Sequence, residues 1–282
     1  MKRVLIIVAG SLLLVVLASV GYVVYVQWRH GCFDPPTYDT EAPKLPEMPD
    51  KPRVLVFSKT NSFRHIEGIP AAHAMFDDFA KELGWYVFHT ENAAIHNPDQ
   101  LGKFDLIVWN NVSGDVLTEE QRKAFKSNVE GGAQVLCIHA TGGDPSYGWE
   151  WQPKELIRAQ FVGHPLLPQF QNAVVDIEDH DHPAMKHLPD HWKFRDEWYS
   201  YSASPRARVH VLATLNEDSY RPVTFGLIGS LRMGDHPIIW YHDVGRGRVF
   251  YSALGHCAEA YTDKNYRELL KQTCLWLLNR DS

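Results

Sequence analysis

The residues of this chain that could do chemistry are histidines set at the ends of apolar runs. Residues 131–143 read GGAQVLCIHATGG, a β-like apolar run that stops at His139 and passes at once into small residues. In α/β proteins the crevice outside the carboxyl ends of parallel strands is where ligands bind, so a polar side chain at such a stop stands where reactions usually occur. His139 could also simply cap its strand by bonding a backbone carbonyl. Its company weighs toward chemistry. His65 in SFRHIEG, His164 in FVGHP, His236 in MGDHP and His256 in ALGHCAE also follow strand-like runs or sit beside Gly and Pro.

His139 and His256 are expected at one edge of a sheet, where they can act as an acid/base pair or as ligands of a divalent metal. The chain has no H-E-x-x-H and no close ligand spacing, so a metal at His139 and His256 is a hypothesis only. Glu259, three residues beyond His256, could orient it or cap the following turn. In RDEWY, residues 195–199, Asp196 and Glu197 stand beside Trp198. A carboxyl wedged against an indole can be raised in pKa and act as an acid, or it can pair with Arg195. Arg64 and His65 suit substrate hydroxyls or a leaving oxygen. Asn110 and Asn111 are natural partners for hydroxyl groups and equally ordinary turn residues. His164, before Pro165, either joins the site or ends a segment. His180, His182, His187 and His191 read as surface or capping residues, while His236 and His242 flank a strand, with one of them facing the cleft.

These residues need a frame. Arg53–Phe57 reads as a strand, Ile69–Leu83 as a helix ended by Gly84, and Trp85–His89 and Leu106–Trp109 as further strands. A second helix spans Glu119–Glu130, with Thr118 as its N-cap and Gln121 completing the capping box. Val135–Ile138 follows as a strand, and β-signals return at Ala173–Ile177, His210–Leu215, Pro237–Tyr241 and Arg248–Ala253 before a final helix at Tyr266–Leu278. Strand and helix alternating in this way call for an α/β fold, a mostly parallel central sheet flanked by helices.

Ahead of this domain lies different material. Val4–Val26 is uncharged for 23 residues, enough to cross a bilayer core. Lys2 and Arg3 precede it, and Tyr22, Tyr25 and Trp28 gather at its far end, as expected of a single-pass anchor with a cytoplasmic amino terminus and a periplasmic or extracellular domain. It is longer than the apolar core of a cleaved secretory signal, and Cys32 follows Arg29, His30 and Gly31, which suits no lipoprotein processing. Prolines at 35, 36, 43, 46, 49 and 52 predict an extended spacer. The organisation expected is an anchor over 1–30, a linker over 31–52 and one domain over 53–282. A net charge of -6 without a long basic cluster argues against nucleic acid. Four cysteines without C-x-x-C spacing imply no disulfide framework. Nine tryptophans and twelve tyrosines offer faces for sugar rings, although most aromatic residues are core.

Several segments in order carry a resemblance: FRH at 63–65, IHATGG at 138–143, FVGHP at 161–165, DHPA at 181–184, DEWY at 196–199, LATLNEDSY at 212–220, the run 233–256 ending in ALGH, and AEAY at 258–261. Together they resemble the ThuA-like (trehalose utilisation protein A) family across about Val54 to Leu278. That family's fold is similar to the flavodoxin-like fold of class I glutamine amidotransferases. Those enzymes place a nucleophilic cysteine in a G-x-C-x-G elbow and complete a triad with a late His and Glu. Here the elbow reads C-I-H-A-T, so His139 takes the nucleophile's place, Cys137 lies inside the strand, and the late pair matches His256 and Glu259. Glutamine hydrolysis by that route is not expected.

The resemblance implies work in disaccharide breakdown, after a sugar oxidoreductase has made a 3-keto sugar. A ketone acidifies the neighbouring C–H, so a base and an electrophile that holds the enolate oxygen can expel the glycosidic oxygen. His139, His256 and Glu259 would supply the base and its orienter, Glu197 a further acid, and a divalent metal or an arginine the electrophile. His65, Arg64, Asn110, Asn111, His164, Asp196, Trp198 and His236 are the candidate substrate-binding residues. The expectation is a carbohydrate-active lyase or hydrolase. The alternative is a non-catalytic sugar-binding or assembly domain, for which a retained base and orienter would be superfluous.

Overall fold

The computed structural model describes residues 2–144, 148–225 and 228–279. Helix α1, Lys2–Arg29, is followed by strand β1 (Arg53–Phe57), helix α2 (Gly68–Leu83) and strand β2 (Tyr86–Thr90). A short helix α3 (Pro98–Leu101), strand β3 (Leu106–Asn110), helix α4 (Glu119–Glu130) and strand β4 (Gln134–Ile138) come next. The second half contributes β5 (Phe170–Ile177), β6 (His191–Glu197), β7 (His210–Asn216), β8 (Pro237–Val244), β9 (Gly247–Ser252) and helix α5 (Lys264–Leu278). These nine strands form one sheet in the order β2-β1-β3-β4-β9-β8-β7-β5-β6.

Pairing is parallel from β2 to β9 and antiparallel from β9 to β6. Only β5 and β8 therefore run against the others, and most strands deliver their carboxyl ends to one edge. Strands β1, β3 and β4 are almost wholly buried, as strands covered on both faces must be. Strand β6 lay outside the expected set because Lys193 and Arg195 interrupt its hydrophobicity. Its alternation was legible all the same: Trp192 and Phe194 face inward while His191, Lys193 and Arg195 face out. The capping box of α4 forms as expected, with Thr118 Oγ1 accepting from Gln121 N at 3.3 Å and Thr118 N donating to Gln121 Oε1 at 2.9 Å.

Within α1, Gly10–Arg29 is long and apolar enough to cross a membrane by length and composition, with mean hydropathy 1.9. The proline-rich stretch after it contains no helix or strand, and it is not a free spacer. Side-chain amides of the domain bond its backbone carbonyls: Gln121 Nε2 donates to Asp39 O at 2.7 Å, Asn92 Nδ2 to Glu41 O at 3.0 Å and Gln100 Nε2 to Pro43 O at 2.8 Å. Asp39 also pairs with Lys59 at 2.7 Å, and Leu45 and Met48 pack on the core.

His96 shows how the core handles an imidazole it cannot charge. Its Nε2 accepts from Trp109 Nε1 at 3.1 Å and its Nδ1 donates to Ala93 O at 3.1 Å, a pattern only the neutral ring can make. Burial pushes its pKa down to about 4. A depressed histidine stabilises fully above its unfolded value and loses that contribution as pH falls toward the folded one, here from about 6.5 to about 4. Across that window wild type should lose about 3 kcal/mol more than His96→Gln, read as urea midpoints of the full chain in detergent. Parallel losses in both proteins would contradict it.

Candidate active site

At the end of β4 the backbone of His139 turns through φ 45°, a left-handed conformation that costs a non-glycine residue on the order of 1 kcal/mol or more. Its surroundings hold it there. Nδ1 bonds Ala253 O at 2.6 Å, the His139 carbonyl accepts from Tyr251 Oη at 3.0 Å, and the ring stacks on Tyr199 with centroids 4.2 Å apart. Because Ala253 O can only accept, Nδ1 carries the proton and the neutral ring presents a lone pair at Nε2. Gly142 and Gly143 make the turn possible, since a Cβ on either would strike Tyr251 or Tyr199.

Three other residues meet His139 there. His256 follows β9, and its Nδ1 lies 3.2 Å from His139 Nε2 and 3.1 Å from Glu197 Oε2. Glu197 ends β6, and the same oxygen is 3.5 Å from His139 Nε2. His65, after β1, sets its ring edge-on to those of His139 and His256, at centroid distances of 4.9 and 4.3 Å. One donor atom from each of the four lies within 4.8 Å of the others. Asp196 positions the backbone, accepting from Gly255 N at 2.7 Å and His256 N at 3.3 Å.

The cluster is nearly closed. His139 and Glu197 side chains are 0 and 2% exposed and that of His256 is 11% exposed. Burial pushes the Glu197 carboxyl up, but His256 and then His164 outweigh it and hold the group well below its usual range. This shift is opposite to the raised pKa that a carboxyl wedged against Trp198 could have had, one of the alternatives left open by the sequence. His164 Nδ1 bonds Glu197 Oε1 at 3.0 Å, held there as residues 161–163 pair with 200–201. Burial lowers the His164 pKa, and the Glu197 charge and hydrogen bond more than restore it, leaving it raised. Burial, reinforced by His256 and His139, drives His65 well below its usual value. Burial raises Asp196, with His139 partly opposing.

The structure therefore brings together His139, His256, Glu197 and His65, with His164 and Asp196 in contact. Glu259 is not among them: it lies exposed in the tight turn Ala258–Thr262, and the carboxylate that meets His256 is Glu197. Arg64 turns outward to Glu91, at 2.6 and 2.9 Å. Asn110 and Asn111 are buried and committed to scaffolding, Asn110 to Ser58 Oγ and Asn111 to Gly255 O and Tyr261 Oη. Trp198 is core, donating to Gln171 O, and His236 spends both ring nitrogens on Glu217 and Tyr199 O. Sequence reading missed Tyr199, Phe170, whose ring is 4.8 Å from that of His256, and Phe63, 5.1 Å from that of His65. It also missed His30, which stacks on Phe63 at 4.2 Å and bonds Arg64 O. Phe63 and Tyr199 adjoin residues already singled out, but nothing local joins His30 to the site.

A family model described as ThuA, trehalose utilisation, matches residues 53–277. Among solved structures, a ThuA-like protein from Bacteroides uniformis superposes with TM-score 0.70 at 23% identity, over 84% of this chain and 95% of its own. One from Parabacteroides merdae gives 0.61 at 18%, over 82% and 91%. PurLQS from Thermotoga maritima gives 0.50 at 12%, over 80% and 99%. At such identities the likeness is one of fold. No curated protein matches the chain.

The close approach of Tyr199 to the turn yields a test. Gly143→Ala should cost about 1–3 kcal/mol by overpacking Tyr199. Gly102→Ala, at φ -65° with its nearest atom 3.8 Å away, should change stability by less than about 1 kcal/mol. Equal urea midpoints for the two variants would show that Tyr199 is not held against this turn.

Proposed function

The chain belongs to the ThuA family of trehalose utilisation, and from that premise we propose that it cleaves a keto-disaccharide or related glycoside at the His139, His256, Glu197 and His65 cluster. The observation that carries the proposal is this convergence of three imidazoles and a carboxylate at the carboxyl edge of the sheet, a place where α/β proteins bind ligands. Beside a ketone, a base removes the acidified proton while the electron pair moves onto the carbonyl oxygen. Collapse of the enolate breaks the glycosidic C–O bond, the departing alcohol takes up a proton, and the unsaturated ketone can then add water.

In this reading the ring N–H of His65, which has no partner, donates to the carbonyl oxygen, while Glu197, an acceptor only, orients His256. His164, 23% exposed and bonded to Glu197, moves the proton. Cys137 is no nucleophile: burial in the centre of β4 pushes its thiol far up. The keto group must come from an oxidoreductase acting earlier. We further propose that α1 anchors the domain on the non-cytoplasmic face of a membrane, since Lys2 and Arg3 precede the apolar stretch. The enclosure of the cluster supports a second reading, a sugar-binding domain without turnover.

The test is monosaccharide release by the full chain in detergent from a panel of 3-keto and ordinary disaccharides. Cleavage of a keto substrate is expected, with His139→Ala and His164→Ala slower by about 10²- to 10⁴-fold and Cys137→Ala within a few-fold of wild type. Activity lost with Cys137 and kept without His139 would return the chain to thiol chemistry. Saturable sugar binding with no release would establish the binding reading instead.

A further inference from the structure

We infer that His65, His139, His256 and Glu197 together bind one divalent first-row transition-metal ion. The inference stands on donor geometry and does not depend on the substrate being a sugar. It begins with a count of protons. His139 Nδ1 is committed as donor to Ala253 O, so Nε2 of the neutral ring offers a lone pair, and the Glu197 Oε2 carboxylate oxygen offers lone pairs beside it. Both atoms face His256 Nδ1, at 3.2 and 3.1 Å, and a single N–H there can satisfy one of them. A second proton, on His139 Nε2, would satisfy that pair and still leave His65 without a partner. The His65 side chain is buried, with the whole residue 4% exposed, and neither ring nitrogen has a hydrogen bond. Such orphans are rare in folded proteins and call for an explanation.

A cation supplies it. Ligand atoms about 2.0–2.2 Å from a tetrahedral ion lie roughly 3.3–3.6 Å from one another. The three edges among His139, His256 and Glu197 measure 3.1, 3.2 and 3.5 Å. The four donors lie within 4.8 Å of one another, and no competing bond holds His65 back from closing the fourth corner by a shift on the order of 1 Å. The outer contacts also suit a metal centre. Ala253 O fixes the His139 tautomer, while Gln169 and His164 hold the other Glu197 oxygen. Three imidazoles with one carboxylate suit zinc and its neighbours, whereas magnesium and calcium prefer all-oxygen shells.

The experiment uses the full chain in detergent, stripped with chelator, dialysed and titrated with Zn²⁺, with bound metal measured by elemental analysis after gel filtration. One ion per chain is expected, and cobalt in its place should give the intense visible absorption of a tetrahedral site. Glu197→Gln and His65→Ala should weaken zinc binding about 100-fold or more. The exposed His191→Ala should leave it unchanged. His65→Ala removes no hydrogen bond, so it should keep wild-type near-ultraviolet circular dichroism, which separates lost affinity from lost fold. A folded chain that retains no zinc, or zinc binding unaffected by both cluster substitutions, would overturn the inference. Stoichiometric zinc without sugar cleavage would sustain it and count against the proposed function, while cleavage by a chain that binds no metal would do the reverse.

Discussion

A carboxylate at 2% exposure can persist as an anion only if its surroundings replace the water it has lost, and the centre of this molecule is organised around that requirement for Glu197. One oxygen takes His164 and Gln169, and the other faces His256 and His139. Meeting it fixes the rest. His139 must leave its strand in a left-handed conformation, two glycines must follow so that Tyr251 and Tyr199 can close on the turn, and Asp196 must gather the backbone of Gly255 and His256. Removing Glu197 would therefore disturb the geometry of three histidines as well as the local charge.

The topology explains how residues so far apart in sequence meet. Strands β1, β4, β9 and β6 share a direction, so the chain after each begins at one edge of the sheet. Yet β6 stands four strands from β9, about 19 Å in a flat sheet. The chain after β9 closes that gap, because Gly255 and His256 bond Asp196 through their N–H groups. The amino-terminal segment adds a further layer, with His30 lying over Phe63 at the end of the apolar helix. The apolar helix and the site are thus physically continuous, which a free proline-rich spacer would not have allowed.

Much of this was legible in the residues. The α/β alternation, the capping box at Thr118 and Gln121, and the place of His139 at a strand end all follow from local pattern, because an apolar run that stops at a polar residue before two glycines marks where a strand gives way to a turn. The partner of His256 was not legible. Three-residue spacing suggested Glu259, but the turn at Ala258–Thr262 carries that side chain outward, and the carboxylate that arrives comes from a strand 59 residues earlier in the chain. Local spacing cannot report a contact made by sheet order. Likewise Arg64, Asn110 and Asn111 had types suited to substrate, but surface charge at Glu91 and unmet backbone groups claimed them first. The family match agrees with the resemblance read from the segments, whereas the chemistry rests on the cluster itself.

Side chains that follow or end four separate strands are proposed to form a single cation-binding centre. The most direct measurement is anomalous diffraction at the zinc absorption edge from crystals of the zinc-loaded chain. One strong peak is expected, about 2.0–2.2 Å from His139 Nε2, His256 Nδ1, Glu197 Oε2 and a ring nitrogen of His65. Rings of His139 and His256 turned apart, with Glu197 bonded elsewhere and no anomalous peak among them, would contradict it.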